Sequence, residues 1–454
     1  MVIAPRLDAG LISGPILDQA ERFGEQTGAS IRVVTPGWNE TAEKIHASLD
    51  SPTAHYDVYV VTTSWLGSLF AADAVAELPP RVMEQIDWQD VLPIYRDNLL
   101  TWNSRPYALP YDGDTVTLYY RRDLLEDPGH RAAFEARFGY PLRAPATWRE
   151  VHEIADFFTG WDWSGDGEPD YGLVGNRKVD GSAMLIFLSR AAAYARHPDD
   201  PAFYFDPLDM TPRIDNPGFV RALAEYVEAL DHGPPGMSNF AGNDVRAHFI
   251  AGCCALAVDW ANIGIMAESA EASRVRGRVG YAPLPGADEV WNSAEGSWEQ
   301  RPNRVASMVG NYLFLVSRHS RDPELAFAFA AHMTSREMTA RLVVTPSTGI
   351  NPSRLSHLDD SPAWEGIGFS HEAAERYLGM IRSALASQSV IFDVRIPGSA
   401  RYYASLDQAI MRALRGEQSP QEALSQAAQE WQVLTNELGR ESQIRLHAAS
   451  LNQR

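Results

Sequence analysis

Apolar positions near the N-terminus fall into two alternating patterns. Residues 2–4, 30–35 (SIRVVT) and 56–61 (YDVYVV) are short runs of strand length. Between them, residues 14–28 carry Ile16, Leu17, Ala20 and Phe23 at helical spacing. Further helices are expected from about Thr41 to Asp50 and from about 65 to 73. Strands alternating with helices of this length indicate βαβ units and a largely parallel sheet.

Downstream, residues 107–114 are punctuated by Pro110 and Gly113 and lead into 115–121, a run rich in β-branched and aromatic side chains. We read this as a strand entered by a crossing between two lobes. Thr147, with Glu150 three residues on, has the form of a capping box and opens a helix to about Phe158. Helical patterns also fit 216–231, 322–334, 335–343, 371–387, 399–415 and 418–437. Residues 283–286 (PLPG) suggest a second crossing, and the polar segment 287–304 a long loop. No internal repeat or low-complexity tract occurs.

One stretch, residues 243–264, combines several signals. Asn243 can cap a short helix, Val245, Phe249 and Ile250 recur at helical spacing, and Gly252 supplies a stop. Residues 253–258 then form an apolar run typical of a strand covered on both faces, ending abruptly at Asp259, Trp260, Ala261 and Asn262. Ligands of open α/β sheets bind at the carboxyl ends of strands, so Trp260 reads either as a ligand platform or as a plug at the end of the core.

Composition narrows the function. The chain has 454 residues, long enough for two or three domains, and a net charge of −20 that disfavours nucleic acid or an acidic membrane as partner. No apolar run approaches the roughly 18–20 residues of a membrane helix. Its two cysteines, Cys253 and Cys254, are adjacent, and a bridge between neighbours would close no loop, so they read as strand filling. No Gly-rich phosphate loop, G-x-S-x-G elbow or zinc-protease helix is present.

One loop has metal-ligand spacing. Asp162, Ser164, Asp166 and Asp170 occupy positions one, three, five and nine of a calcium loop, with Gly167 at six and Glu168 offering its carbonyl at seven. Position twelve is Leu173 where a bidentate Glu is expected. We therefore expect a structural Ca2+ that draws a further ligand from elsewhere; the alternative is an acidic turn without metal. No organic cofactor is expected.

Several ordered segments resemble a known family. These are Tyr56-Asp57-Val58 before Trp65, Leu109-Pro110 followed by 118–124 (LYYRRDL), and Pro145-Ala146-Thr147-Trp148. Further on come Phe249-Ile250-Ala251-Gly252 with Asp259-Trp260, then Gly310-Asn311-Tyr312, then 349–354 (GINPSR), and the closing segment from Ala413 to Trp431. The chain resembles the extracellular solute-binding proteins of ATP-binding-cassette importers, in the sugar-binding class that includes maltose-binding protein. The resemblance covers nearly the whole chain. It implies a two-lobed α/β periplasmic-binding-protein fold of the class II type, each lobe a mostly parallel sheet flanked by helices. The lobes are expected over 1–112 with 285–343 and over 113–284 with 344–454. It also implies a monomer that is not an enzyme, periplasmic or surface-anchored after loss of a signal peptide, delivering its solute to a membrane permease.

In such a fold the ligand would sit between the lobes, where aromatic faces stack on sugar C–H groups and short polar side chains pair with hydroxyls. Candidates at strand ends and crossings are Trp38, Asn39, Glu40, Thr63, Trp65, Asp112, Asp114, Trp260, Asn311, Tyr312 and Arg354. Trp65 and Trp260 lead, because each follows an apolar strand directly. Trp38 and Tyr312 read equally as core-edge aromatics, and Arg354 equally as a hinge ion pair. The many carboxylates keep a secreted glycoside hydrolase with two cleft acids open as the alternative. A peptide or metal-chelate receptor on the same fold is a third.

Overall fold

The computed structural model describes residues 1–7, 10–49, 55–179, 182–269 and 271–452. Asp50, the expected end of the second helix, lies outside them. In chain order the strands are β1 (Val2–Ile3), β2 (Val33–Val34), β3 (Val58–Thr62), β4 (Thr101–Trp102), β5 (Arg105–Pro106), β6 (Ala108–Pro110), β7 (Val116–Arg121) and β8 (Tyr171–Gly175). They continue with β9 (Cys254–Trp260), β10 (Val279–Pro283), β11 (Val290–Asn292), β12 (Ser297–Glu299), β13 (Ala306–Met308), β14 (Tyr312–Val316) and β15 (Val390–Phe392).

Two sheets define two lobes. The first has the order β2-β1-β3-β14-β6 and the second β10-β7-β9-β8. The pairing is mixed rather than mostly parallel. β1 runs parallel to β2 and β3, and β8 parallel to β9. β14 is antiparallel to β3 and β6, and β7 antiparallel to β9 and β10. The reason lies in the connections. β7 and β14 each arrive from the other lobe and enter their sheet from the opposite end, against strands wound locally through helices.

The amphipathic patterns became helices close to where they were expected. Observed spans include Ser13–Thr27, Trp38–Leu49, Trp148–Phe158, Pro217–Glu228, His371–Leu385, Ser399–Leu414 and Pro420–Glu437. At residue 147 the expected cap forms: Thr147 Oγ1 accepts the Glu150 N–H at 3.2 Å. The Glu150 carboxylate turns one residue further back than a capping box requires and accepts the Ala146 N–H at 2.6 Å. The helix Ala183–Ala195 carried no amphipathic signal because it is apolar almost all round and buried on nearly every face.

Three local expectations change. The helix over Gly242–Ala251 begins after Ala241, whose N–H is capped by Asp244 at 2.9 Å, so Asn243 lies inside the first turn and is not the cap. Residues 287–304 hold the antiparallel hairpin β11–β12, packed on the helices Ala183–Ala195 and Pro217–Glu228. Residues 283–286 stay in the second lobe, where the Gly286 N–H donates to the Ala146 carbonyl at 2.9 Å; the chain returns to the first lobe at 309–311 instead.

The first crossing, 111–115, is held by backbone contact. A Cβ on Gly113 would meet the Pro352 carbonyl oxygen at 2.0 Å, so only glycine lets the crossing lie against residues 351–352. Beside it, β13 pairs in parallel with β15, a short ribbon between the lobes. Further ties are made by Ser399, whose hydroxyl donates to the Ser64 carbonyl at 2.6 Å, and by Arg395, which donates to the carbonyls of Asn98 and Ser450. Among the described residues no helix is long and apolar enough to cross a membrane.

Candidate ligand-binding cleft

A cavity of about 350 Å³ opens between the lobes. Thr62 closes β3, Trp260 closes β9, Tyr312 starts β14 beside the crossing, and Asn176 follows β8, so strand ends form its floor. Trp38, Arg6, Leu11 and Ile12 line the first-lobe side; Leu185, Asn243 and Arg246 line the second. The volume lies at the small end of the range for ligand pockets, roughly 300–1,000 Å³.

The aromatic groups are fixed before any ligand arrives. Trp260 donates its indole N–H to the Val309 carbonyl at 3.0 Å, while its own carbonyl accepts the Tyr119 hydroxyl at 2.9 Å. Gly310, at φ +85°, lies against the indole, where a Cβ would come within 3.5 Å of its nitrogen. On the other side Trp38 leans on Trp65 with ring centroids 5.1 Å apart and planes at 50°. Rings held this way lose little rotamer freedom on binding.

The polar groups sit in two layers. Arg246 donates from Nε to Asp259 Oδ2 at 2.8 Å, and Asp259 is fully buried. Burial pushes the Asp259 carboxyl up, against the pull of Arg246. In the first crossing, Asp112 Oδ1 accepts the Asn351 N–H at 2.9 Å and Asp114 Oδ1 accepts the Asn351 side-chain amide at 2.5 Å. Burial raises the Asp112 carboxyl from 3.8 to about 6; burial, with the Asp112 charge beside it, raises Asp114 well above its ordinary value. Both shifts have the same main cause, burial that disfavours the charged form.

Of the residues singled out from sequence, Trp38, Asp114, Trp260 and Tyr312 line the cavity. Trp65, Asp112 and Asn311 stand one layer behind: Trp65 backs Trp38, and Asn311 donates to the Asp114 carbonyl at 3.0 Å. Thr63 turns inward and donates to Asp393, so Thr62 takes its place on the wall. Asn39 and Glu40 are exposed on the helix Trp38–Leu49, with Glu40 paired to Lys44 at 3.3 Å. Arg354 is buried within the first lobe, donating to the Thr334 carbonyl at 2.6 Å and to Thr339 Oγ1 at 3.1 Å, and it does not line the cavity.

Arg6, Asn176 and Arg246 were not singled out. Arg6 and Asn176 closely follow strands, so the strand-end rule could have found them had it not been weighted toward tryptophan.

The loop at Asp162 is organised by amides. Asp162 accepts the N–H groups of Gly165, Asp166 and Gly167 at 2.7–3.1 Å, Asp166 accepts that of Glu168 at 3.0 Å, and Asp170 that of Ser164 at 2.6 Å. Leu173, at position twelve, is core in β8. Among the described residues no three His, Cys, Asp or Glu side chains are grouped to hold a metal ion. The calcium expectation thus finds no support in this geometry.

Two α/β lobes, joined by the crossing segments 111–115 and 309–311 around a preformed cavity, define a two-lobed binding protein. Residues 18–367 match the family model of bacterial extracellular solute-binding proteins, and the chain belongs to that family. It is 28% identical over 251 residues, 54% of the chain, to the mannitol-binding protein of Pseudomonas aeruginosa, a match spanning about half (49%) of that protein. It is 22% identical over 74% of its length to the "Probable amino-acid ABC transporter periplasmic-binding protein" of Sinorhizobium fredii, 69% of which is covered. Among solved structures, a solute-binding protein of Agrobacterium radiobacter K84 in complex with ribitol aligns with a TM-score of 0.74 at 20% identity, over 96% of this chain and 98% of that one. Maltose-bound MalE3 of T. maritima gives 0.70 at 19%, over 95% and 98%. These relatives are binding proteins, and nothing among them supports a glycoside hydrolase.

Proposed function

We propose that the protein is the solute-binding component of an ATP-binding-cassette importer, capturing a sugar or polyol in the interlobe cavity and presenting it to the membrane permease. The observation that carries this is the cavity itself. Fixed faces of Trp38, Trp260 and Tyr312 stand with Asn176, Asn243 and Arg246, drawn from both lobes. The names of the relatives, a mannitol-binding protein and structures holding ribitol or maltose, support the same class of ligand.

Because both lobes contribute contacts, a bound solute favours the closed arrangement over the open one, and closure about the 111–115 and 309–311 crossings is the working motion. The protein acts as a monomer on the outer side of the cytoplasmic membrane. A calcium ion at Asp162–Asp170 is a separate proposal, supported by ligand spacing alone.

Isothermal titration against mannitol, ribitol, sorbitol, glucose, maltose and their acid derivatives tests the reading. One-to-one binding by at least one of them is expected. Silence across the panel, or product formed from a glycoside, contradicts it.

A further inference from the structure

The second-lobe wall of the cavity is built for negative charge, although the chain as a whole carries −20. Arg246 is about nine-tenths buried and is anchored by its Nε bond to Asp259. Its two Nη atoms have no hydrogen-bond partner among the described residues and lie beside Gly242, where a Cβ would be only 3.4 Å from Nη2. A guanidinium held by Nε and free at both Nη atoms presents a fixed donor fork.

The ten-residue helix Gly242–Ala251 opens at the same place. Ala241, Gly242 and Asn243 are in the cavity wall, and Asp244 caps the Ala241 N–H. The N–H groups of Gly242 and Asn243 have no acceptor among the described residues, which leaves two donors at the positive end of a helix. From the first lobe Arg6 faces the cavity without a carboxylate partner among the described residues.

Behind the wall stands a second cation. Arg177 is buried, donates to the Asn176 carbonyl at 2.9 Å and lies 3.5 Å over the Tyr226 ring, with no carboxylate in contact among the described residues. A buried cation is costly unless an anion stands near it, and an anion in the cavity one residue away would lower that cost. The described carboxyls nearby do not fill the role. Asp259 is engaged by Arg246, and Asp114 by the Asn351 side-chain amide.

We propose that the cognate solute carries a carboxylate: a sugar acid whose carboxylate seats on the Arg246 fork and the first turn of Gly242–Ala251, with Arg6 closing from the opposite lobe. This rests on the carbohydrate reading above and narrows it. Trp260 and Trp38 then face the carbon skeleton, and Asn176 and Asp114 the hydroxyls.

The test is calorimetric titration of the whole protein with D-gluconate and D-glucuronate, each against its neutral counterpart sorbitol or glucose, with L-glutamate as an amino-acid arm. At least one acid should bind ten-fold or more tighter than its neutral counterpart. Arg6→Gln, an exposed change that does not threaten the fold, should weaken the acid at least ten-fold more than it weakens the neutral counterpart, and equal losses for the two overturn the inference. Neutral polyols or sugars binding as tightly as the acids overturn this inference while leaving the proposed function standing. Preference for glutamate overturns the carbohydrate part of both, and no binding by any of the five overturns this inference, while the wider panel above decides the proposed function.

Discussion

Trp260 and Val309 are joined by one hydrogen bond, indole N–H to carbonyl at 3.0 Å, that ties the end of β9 in the second lobe to the crossing leading back to the first. The bond removes the indole's only donor from the ligand and leaves its face as the working surface. Trp260→Ala should therefore weaken solute binding ten- to one-hundred-fold, about 1.4–2.7 kcal/mol. Trp260→Phe, which keeps a ring but drops the bond to Val309, should lose less. Equal losses for the two variants in a calorimetric titration would show that the ring face is not what the solute uses.

Arg246 and Asp259 predict a stability effect separable from binding. Their side chains are 11% and 0% exposed, so removing the guanidinium leaves a buried, uncompensated carboxylate. Arg246→Ala is expected to cost about 3–5 kcal/mol in denaturant unfolding. Asp259→Asn, which removes the charge and keeps an acceptor for Arg246, should cost less. A loss below about 1 kcal/mol for Arg246→Ala would mean the pair is far better hydrated than its burial indicates.

The Asp112–Asp114 pair makes stability depend on pH with a definite sign. Because the folded protein holds Asp112 at about 6 against 3.8 for the free side chain, it keeps a proton that the unfolded chain releases between those values. That contribution is fully present below 3.8 and is lost as pH rises through 6. Asp112→Asn keeps an acceptor for the Asn351 N–H and removes the titration. Its melting temperature should fall less than the parent's as pH rises between about 4 and 6; parallel curves would contradict the buried, coupled pair.

Much of the fold was legible because periodicity is local. Most of the amphipathic helices and the apolar strands β3 and β9 emerged within a few residues of expectation. What escaped depended on distant partners. Thr63 and Trp65 follow an apolar strand just as Trp260 does. Yet the chain turns at once into a 3-10 segment, and Thr63 is drawn inward by Asp393, 330 residues away. Arg354 read equally as a ligand group and as an ion pair. It stands 3.6 Å from Asp90 Oδ2, with carbonyls of Thr334 and Asp87 and the Thr339 hydroxyl around it, so the ion-pair reading is the one the structure bears out. Arg246 lies inside a helical pattern, and only its ion pair with Asp259 at the end of β9 shows why it stands in the cavity wall.

The Asp162 loop gives a clear-cut metal test. Its carboxylates already accept five backbone N–H groups, so the turn has a scaffold without an ion. If calcium is held there, millimolar calcium should raise the melting temperature and Asp166→Ala should abolish the rise. An unchanged melting temperature would leave an amide-capped acidic turn.

The most direct measurement is a crystal structure of the protein with its tightest-binding solute. The solute is expected in the interlobe cavity, its carbon skeleton against Trp260, with contacts from Arg6 or Trp38 on one side and Arg246 or Asn176 on the other. A solute touching one lobe alone, or bound outside this cavity, would contradict the account.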